Sequence, residues 1–135
     1  MYSNNLVIMY IYCQIRQKFV KKTPEEIIRQ YIIKYLLDKG FDKSLFRIEK
    51  QIFNIKDFKY RPDIVVYDNK CEPYIIVECK AKNVNIKENC VEQIANYNRF
   101  LNSKYLIITN GNKIYCWEKD NDKYKCISLK DIILY

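Results

Sequence analysis

The stretch Arg61-Pro62-Asp63-Ile64-Val65-Val66-Tyr67-Asp68-Asn69-Lys70-Cys71-Glu72-Pro73-Tyr74-Ile75-Ile76-Val77-Glu78-Cys79-Lys80 decides the fold. Its two halves, Asp63–Tyr67 and Tyr74–Glu78, are rich in β-branched and aromatic residues. Between them lie Asp, Asn, Glu and Pro, the residues of a turn, so the stretch predicts a β-hairpin. A turn centred between Lys70 and Cys71 sets Val65 opposite Ile76 and Tyr67 opposite Tyr74 on one face. Ile64 then meets Val77, and Val66 meets Ile75, on the other. Both faces are apolar, which predicts a pair of strands inside a sheet rather than at its edge. The same register sets Asp63 opposite Glu78, and the two-residue period places Lys80 on the Glu78 face with Cys79 turned away.

Two opposed carboxylates on an apolar hairpin repel each other and are costly to desolvate. Lys80 supplies one compensating charge. A divalent cation of the Mg²⁺ or Mn²⁺ type, held by Asp63, Glu78 and the Cys79 carbonyl, would supply more, because all three donors are hard oxygens. An ion pair of Asp63 or Glu78 with Lys80 is the simpler alternative, and a one-residue slip would move Asp63 to the other face.

Outward from this hairpin, Thr23-Pro24-Glu25-Glu26 reads as a helix start, with a capping Thr, a Pro at the first position and a Glu three residues after the cap. Ile28, Ile32, Tyr35 and Leu36 keep helical spacing until Gly40 ends the element. Residues 1–22 form an extension read as helical, amphipathic through Arg16–Val20. Phe46–Phe53 alternates like a strand, and Glu88–Leu101 returns to a helical period. Tyr105–Thr109, Asn110-Gly111 and Lys113–Trp117 read as a second hairpin, and Tyr124–Ile133 as a last short strand or helix. The chain of 135 residues has neither repeat nor linker. It is expected to be a single α/β domain over 1–135, with a mixed sheet of about five strands flanked by helices.

Lys and Arg number 24 against 16 Asp and Glu, leaving a net charge of +8 that favours an anionic partner, nucleic acid first. The six cysteines include no Cys-x-x-Cys pair and the chain has no His, so free thiols are expected rather than a zinc site. The absence of His also excludes nuclease chemistry built on a catalytic histidine. No window approaches a membrane span, and Leu6–Cys13 lacks the features of a secretion signal. A cytoplasmic protein is expected.

Five blocks of the chain, in order, resemble the PD-(D/E)xK nuclease superfamily. They are most similar to the nuclease domain at the N-terminus of type I restriction enzyme motor (R) subunits. The blocks are Arg16–Gln30, Arg61–Tyr67, Ile76–Ala81, Gln93–Asn98 and Tyr105–Gly111. The resemblance implies a restriction-endonuclease-like core and a Mg²⁺-dependent (or Mn²⁺-dependent) endonuclease acting on DNA. It implies that Asp63 and Glu78, with the Cys79 carbonyl, bind the metal and that Lys80 orients the attacking water. Glu26 on the first helix would join the site. Gln93 and Tyr97 match the family's Gln-x-x-x-Tyr motif, and their spacing puts both on one helix face. Glu26 is equally explained by helix capping, Tyr97 by the core, and Arg29 is read as a structural ion-pair partner. Lys82, Lys87, Tyr97, Arg99 and Lys104 are the candidate nucleic-acid contacts, with solvated charge the plainer reading of the cations. The 135 residues contain no P-loop or helix-turn-helix motif, and no motor is expected within them. Specificity is therefore expected from a motor or specificity subunit in trans, from homodimerisation, or from DNA structure. A non-cleaving binding module on the same fold is the competing expectation.

Overall fold

A computed structural model describes residues 7–49, 53–55, 58–80, 85–86 and 102–135, with 53–55 and 58–60 described by their backbone alone. Strand β1 (Tyr10–Cys13) and strand β2 (Lys18–Lys21) form an antiparallel ribbon that leads into helix α1 (Pro24–Lys39). After α1 come β3 (Phe46–Ile48), β4 (Phe53–Ile55), β5 (Phe58–Tyr60), β6 (Ile64–Tyr67) and β7 (Pro73–Cys79). The chain closes with β8 (Tyr105–Thr109), β9 (Ile114–Asp120), β10 (Lys123–Ile127) and a 3₁₀ turn at Leu129–Asp131.

Six strands make one mixed sheet in the order β10-β9-β8-β7-β6-β3, one strand more than the sequence suggests. All neighbours are antiparallel except β7 and β8, which run parallel. The extra strand is β10, in the stretch that the sequence left between strand and helix. Strands β4 and β5 pair separately. The strand reading of Phe46–Phe53 is accordingly corrected: β3 ends at Ile48, and Phe53 begins β4.

The N-terminal helix expected through Arg16–Val20 is a β-ribbon. Its strands carry Tyr-Ile-Tyr-Cys and Lys-Phe-Val-Lys, sequences that suit a pleated surface better than a helix. Gln17 takes φ +53, and its N–H donates to the Cys13 carbonyl at 2.8 Å, closing the turn between them. Cys13 and Val20 on the inner face join the hydrophobic core.

Helix α1 begins and ends as its sequence predicts. The Thr23 hydroxyl accepts the Glu26 N–H at 3.1 Å, and Gly40, at φ +116, ends the helix. Gly40 and Phe41 cap it by donating to the Leu37 and Leu36 carbonyls. Ile28, Ile32, Ile33 and Leu36 are buried against Ile64, Val66, Ile75, Val77, Cys79, Tyr105 and Ile107 of the sheet. Burial of each such aliphatic side chain contributes about 1.5–3 kcal/mol. Val65, Ile76, Leu106 and Ile108 are buried as well, so β6, β7 and β8 are apolar on both faces. Among the described residues no helix is long and apolar enough to cross a membrane.

Candidate active site

The hairpin register fixes the site. Ile64 pairs with Val77, Val65 with Ile76 and Val66 with Ile75, as the turn arithmetic requires. The expected pairing of Tyr67 with Tyr74 is replaced by Tyr67 with Pro73, an irregularity confined to the turn end. There Asp68 accepts the N–H groups of Lys70 and Glu72, and Cys71 takes φ +61. At the opposite end the ladder closes with Ile64 and Val77, and Asp63 lies just beyond it, its carboxylate accepting the Cys79 N–H. Parallel pairing of Cys79 with Thr109 continues through the Lys80 N–H, which donates to the Thr109 carbonyl at 2.8 Å. Asp63, Glu78, Cys79 and Lys80 therefore meet at one end of the sheet, where β7 and β8 both finish.

Asp63 stands one residue before β6, and both its oxygens are engaged. Oδ2 accepts the Cys79 N–H at 2.8 Å, and Oδ1 accepts Arg29 Nη2 at 2.8 Å. Arg29 comes from α1, one turn after Glu26, and its side chain crosses to the sheet end. It also donates to Glu26 Oε1 at 2.8 Å and to Glu49 Oε1 at 2.9 Å. Glu26 in turn accepts from Arg16 Nη2 at 2.7 Å and from Gln30 at 3.1 Å through its other oxygen. The Glu26 side chain thus serves this network, while only its backbone N–H serves the cap.

Arg29 and Glu26 are 4% and 5% exposed, an environment in which single charges are strongly disfavoured unless paired. Burial works to raise the Glu26 carboxyl. Hydrogen bonds from Arg16 and Gln30 and the charge of Arg29 outweigh it and hold the group below its ordinary value. Burial likewise works against the Arg29 charge, and Asp63, Glu26 and Glu49 together prevail, raising its pKa. Among the described residues the Arg29 Nε, which is buried, has no hydrogen-bond partner. The charge that offsets Asp63 in this arrangement is therefore Arg29, rather than Lys80 alone.

The Cys79 thiol is buried and driven up by that burial and then by Asp63, with Glu78 adding to the effect. It is a neutral core group, and its carbonyl is the chemically useful part. Cys13, Cys71, Cys79, Cys116 and Cys126 are all free, as expected, and Cys90 lies outside the described residues. Arg16 donates from its backbone N–H and from Nε to the Cys13 sulfur at 3.4 and 3.3 Å. The β1–β2 turn is thereby tied to Glu26.

Two members of this network were not visible as site residues in the sequence. Arg16 lay inside a resemblance block but was read only as the start of an amphipathic helix. Glu49 read as an alternating strand residue. In the structure Glu49 follows β3 at φ +49, a left-handed conformation unusual for a residue with a side chain, and its N–H donates to the Asp63 carbonyl at 3.1 Å. Its carboxylate is about half exposed, at 52%. Gln93, Tyr97, Lys82, Lys87 and Arg99 lie outside the described residues. Lys104 precedes β8, at the end of the sheet away from Asp63. It pairs with Glu118 at 3.3 Å and does not flank the site.

The donor set fits a hard divalent cation in kind: two carboxylates, Asp63 and Glu78, and the Cys79 carbonyl. Among the described residues no group of three or more His, Cys, Asp or Glu side chains is gathered as a metal cluster, so side chains alone do not complete such a shell.

No curated protein matches the chain. A solved fragment of a proposed HsdR subunit of a type I restriction enzyme from Vibrio vulnificus YJ016 has a similar fold, with a TM-score of 0.57 and 17% identity. The match covers 78% of this chain and 23% of that one, so the chain spans under a quarter of that structure's length. A proposed nuclease of the DUF820 group from Anabaena variabilis ATCC 29413 has a TM-score of 0.53 at 10% identity, over 92% of this chain and 79% of that one. Both likenesses speak to the fold, an α/β nuclease-type core. The family model for the N terminus of the type I restriction enzyme R protein matches residues 24–132, and the chain belongs to that family.

Proposed function

We propose that the chain is a metal-dependent endonuclease that hydrolyses phosphodiester bonds in DNA. What supports this reading is that the chain brings Asp63, Glu78 and Lys80 to one end of the sheet, with Asp63 bonded to the Cys79 N–H between the other two and Glu26 joined to Asp63 through Arg29. Asp63, Glu78 and the Cys79 carbonyl would hold Mg²⁺ or Mn²⁺. Such an ion, when bound, supplies an acidified water and a polarised phosphate. Lys80, on the Glu78 side of the ladder, orients the water and offsets negative charge growing on the phosphate. Glu26 and Glu49, through Arg29, set the rotamer of Asp63. The net charge of +8 supports a polyanionic substrate. Gln93 and Tyr97 remain candidate supports of the site, and Lys82, Lys87 and Arg99 candidate phosphate contacts. Five free thiols suit a reducing, cytoplasmic setting. A motor or specificity subunit supplied in trans, or a second copy, would direct the cut.

One observation favours the second reading, a non-cleaving module that grips nucleic acid or a partner: both Asp63 oxygens already have protein donors. The test is nicking of supercoiled plasmid, with single-stranded DNA and RNA alongside, in Mg²⁺ or Mn²⁺. Metal-dependent nicking that disappears in Lys80→Ala is the expected result. Absence of cleavage together with absence of metal binding by calorimetry would overturn the nuclease and leave the binding module.

A further inference from the structure

The β1–β2 ribbon precedes residues 24–132, the part of the chain that matches the family. Its register pairs Tyr10 with Lys21 and Tyr12 with Phe19, so these four side chains share one face. The other face, with Ile11, Val20 and Cys13, turns toward the core. The shared face is open: Tyr10 is 59%, Tyr12 48% and Phe19 69% exposed. Tyr12 and Phe19 meet edge to face with ring centroids 5.2 Å apart. A single exposed ring needs no explanation, but three on one side of a two-stranded ribbon form a patch.

We propose that this outer face is a stacking platform for the unpaired bases of a single-stranded nucleic acid. Charge selects the occupant. The first 24 residues contain Arg16, Lys18, Lys21 and Lys22 and no acidic residue; Lys21 lies on the ring face itself, opposite Tyr10, and Lys34 and Asp38 of α1 stand beside Tyr12. Rings offer a π surface to any base, and neighbouring cations neutralise the phosphates that link successive bases. A duplex keeps its base faces inside the stack, which is why the partner is a single strand. Tyr10 and Tyr12, two residues apart on one strand, are about 7 Å from each other along the ribbon. They offer seats for separate bases of an extended strand.

The position of the ribbon gives the platform a direction. Its turn carries Arg16, bonded to Glu26 at 2.7 Å, and the Tyr12–Phe19 pair is the ring pair nearer that turn. A strand with a phosphate at the Asp63 end of the sheet continues outward over Tyr12 and Phe19, then Tyr10 and Lys21. The proposal rests on nucleic acid being the partner, but not on its being cut.

The experiment is fluorescence anisotropy of the full chain with labelled oligothymidine and with a duplex of equal length, both in EDTA to suppress cleavage. The variants are Phe19→Ala, Tyr12→Ala, Tyr12→Phe and Lys21→Gln, each matched to wild type by circular dichroism and thermal melting. Each ring deletion is expected to weaken single-strand binding about 5-fold or more, while Tyr12→Phe retains it. Lys21→Gln should reduce the salt dependence by about one phosphate contact. Unchanged affinity in both ring variants, or equal losses on the duplex, overturns the platform. So does a dimer that becomes monomeric in those variants with DNA binding intact, which would make the face a contact between copies. A chain that binds the strand through its rings yet nicks nothing loses the nuclease reading and keeps this one. A chain that nicks without need of the rings does the reverse.

Discussion

Removal of Arg29 is the perturbation that most directly tests the electrostatic design of the site. The guanidinium holds Glu26 Oε1 at 2.8 Å, Asp63 Oδ1 at 2.8 Å and Glu49 Oε1 at 2.9 Å. Truncating one member of a buried pair leaves an uncompensated charge and costs about 3–5 kcal/mol. Glu26 is buried and Asp63 partly so, with 6% and 13% of their side chains exposed; Glu49 is solvated and adds less than about 1 kcal/mol. Arg29→Met keeps most of the stem packing and removes the buried, unpartnered Nε, which itself costs about 1–3 kcal/mol in the wild type. The net destabilisation should therefore be about 2 kcal/mol. For 135 residues this is a fall in Tm of about 7 °C. Urea unfolding is the assay, with an unchanged slope showing that stability rather than compactness has moved. Adding Glu26→Gln to Arg29→Met should recover part of the loss, because the orphaned charge is then gone. The deficit should also shrink in acid, as the stranded Glu26 carboxylate takes up its proton. An Arg29→Met protein within about 0.5 kcal/mol of wild type, or a double variant no more stable than the single one, would refute a buried network centred on this residue.

The other expectations concern single groups. The Glu26 carboxyl is held below its ordinary 4.5, so its contribution to stability is complete above that pH and is lost as pH falls through the lowered value; Glu26→Gln should flatten the acid limb of a urea midpoint–pH curve. Gly40→Ala places a Cβ 3.0 Å from Leu134 Cδ1 at a φ of +116 and should lower stability by about 1 kcal/mol or more, read by thermal melting. Thr23→Ala removes the hydroxyl that accepts the Glu26 N–H and should cost about 1 kcal/mol, measured the same way. Alkylation followed by peptide mass spectrometry should find Cys71 and Cys126 labelled rapidly in the native protein. Cys79, and Cys116, whose thiol burial pushes up to about 12, should stay unlabelled until unfolding.

Where chemistry and spacing act over a few residues, the chain is legible without a structure. Thr23, Pro24 and Gly40 bound α1 because a hydroxyl acceptor, a ring-locked φ and a left-handed cap are each local requirements. The pairing of Ile64 with Val77 was readable because a short turn and a two-residue period leave one register that buries both apolar faces. That register set Asp63, Glu78 and Lys80 at one strand end, and the family resemblance supplied the roles expected of them. The N-terminal ribbon was misread because Arg16–Val20 satisfies a helical period about as well as an alternating one. What selects the ribbon is Gln17 at φ +53 and the packing of Cys13 and Val20 on the core, and neither is a property of the local sequence.

By itself, then, the sequence determined the strand pair, the helix that covers it and the acidic and basic residues at its end, through caps, turns and alternation that act within a few residues. Only the tertiary structure decided how those charges are balanced. Arg29 reaches across 20 positions to Glu49 and 34 to Asp63, and Arg16 across 10 to Glu26. No periodicity links residues so far apart. Their meeting follows from α1 packing on the sheet, which removes water from Arg29 and Glu26 and so requires each buried charge to find its opposite.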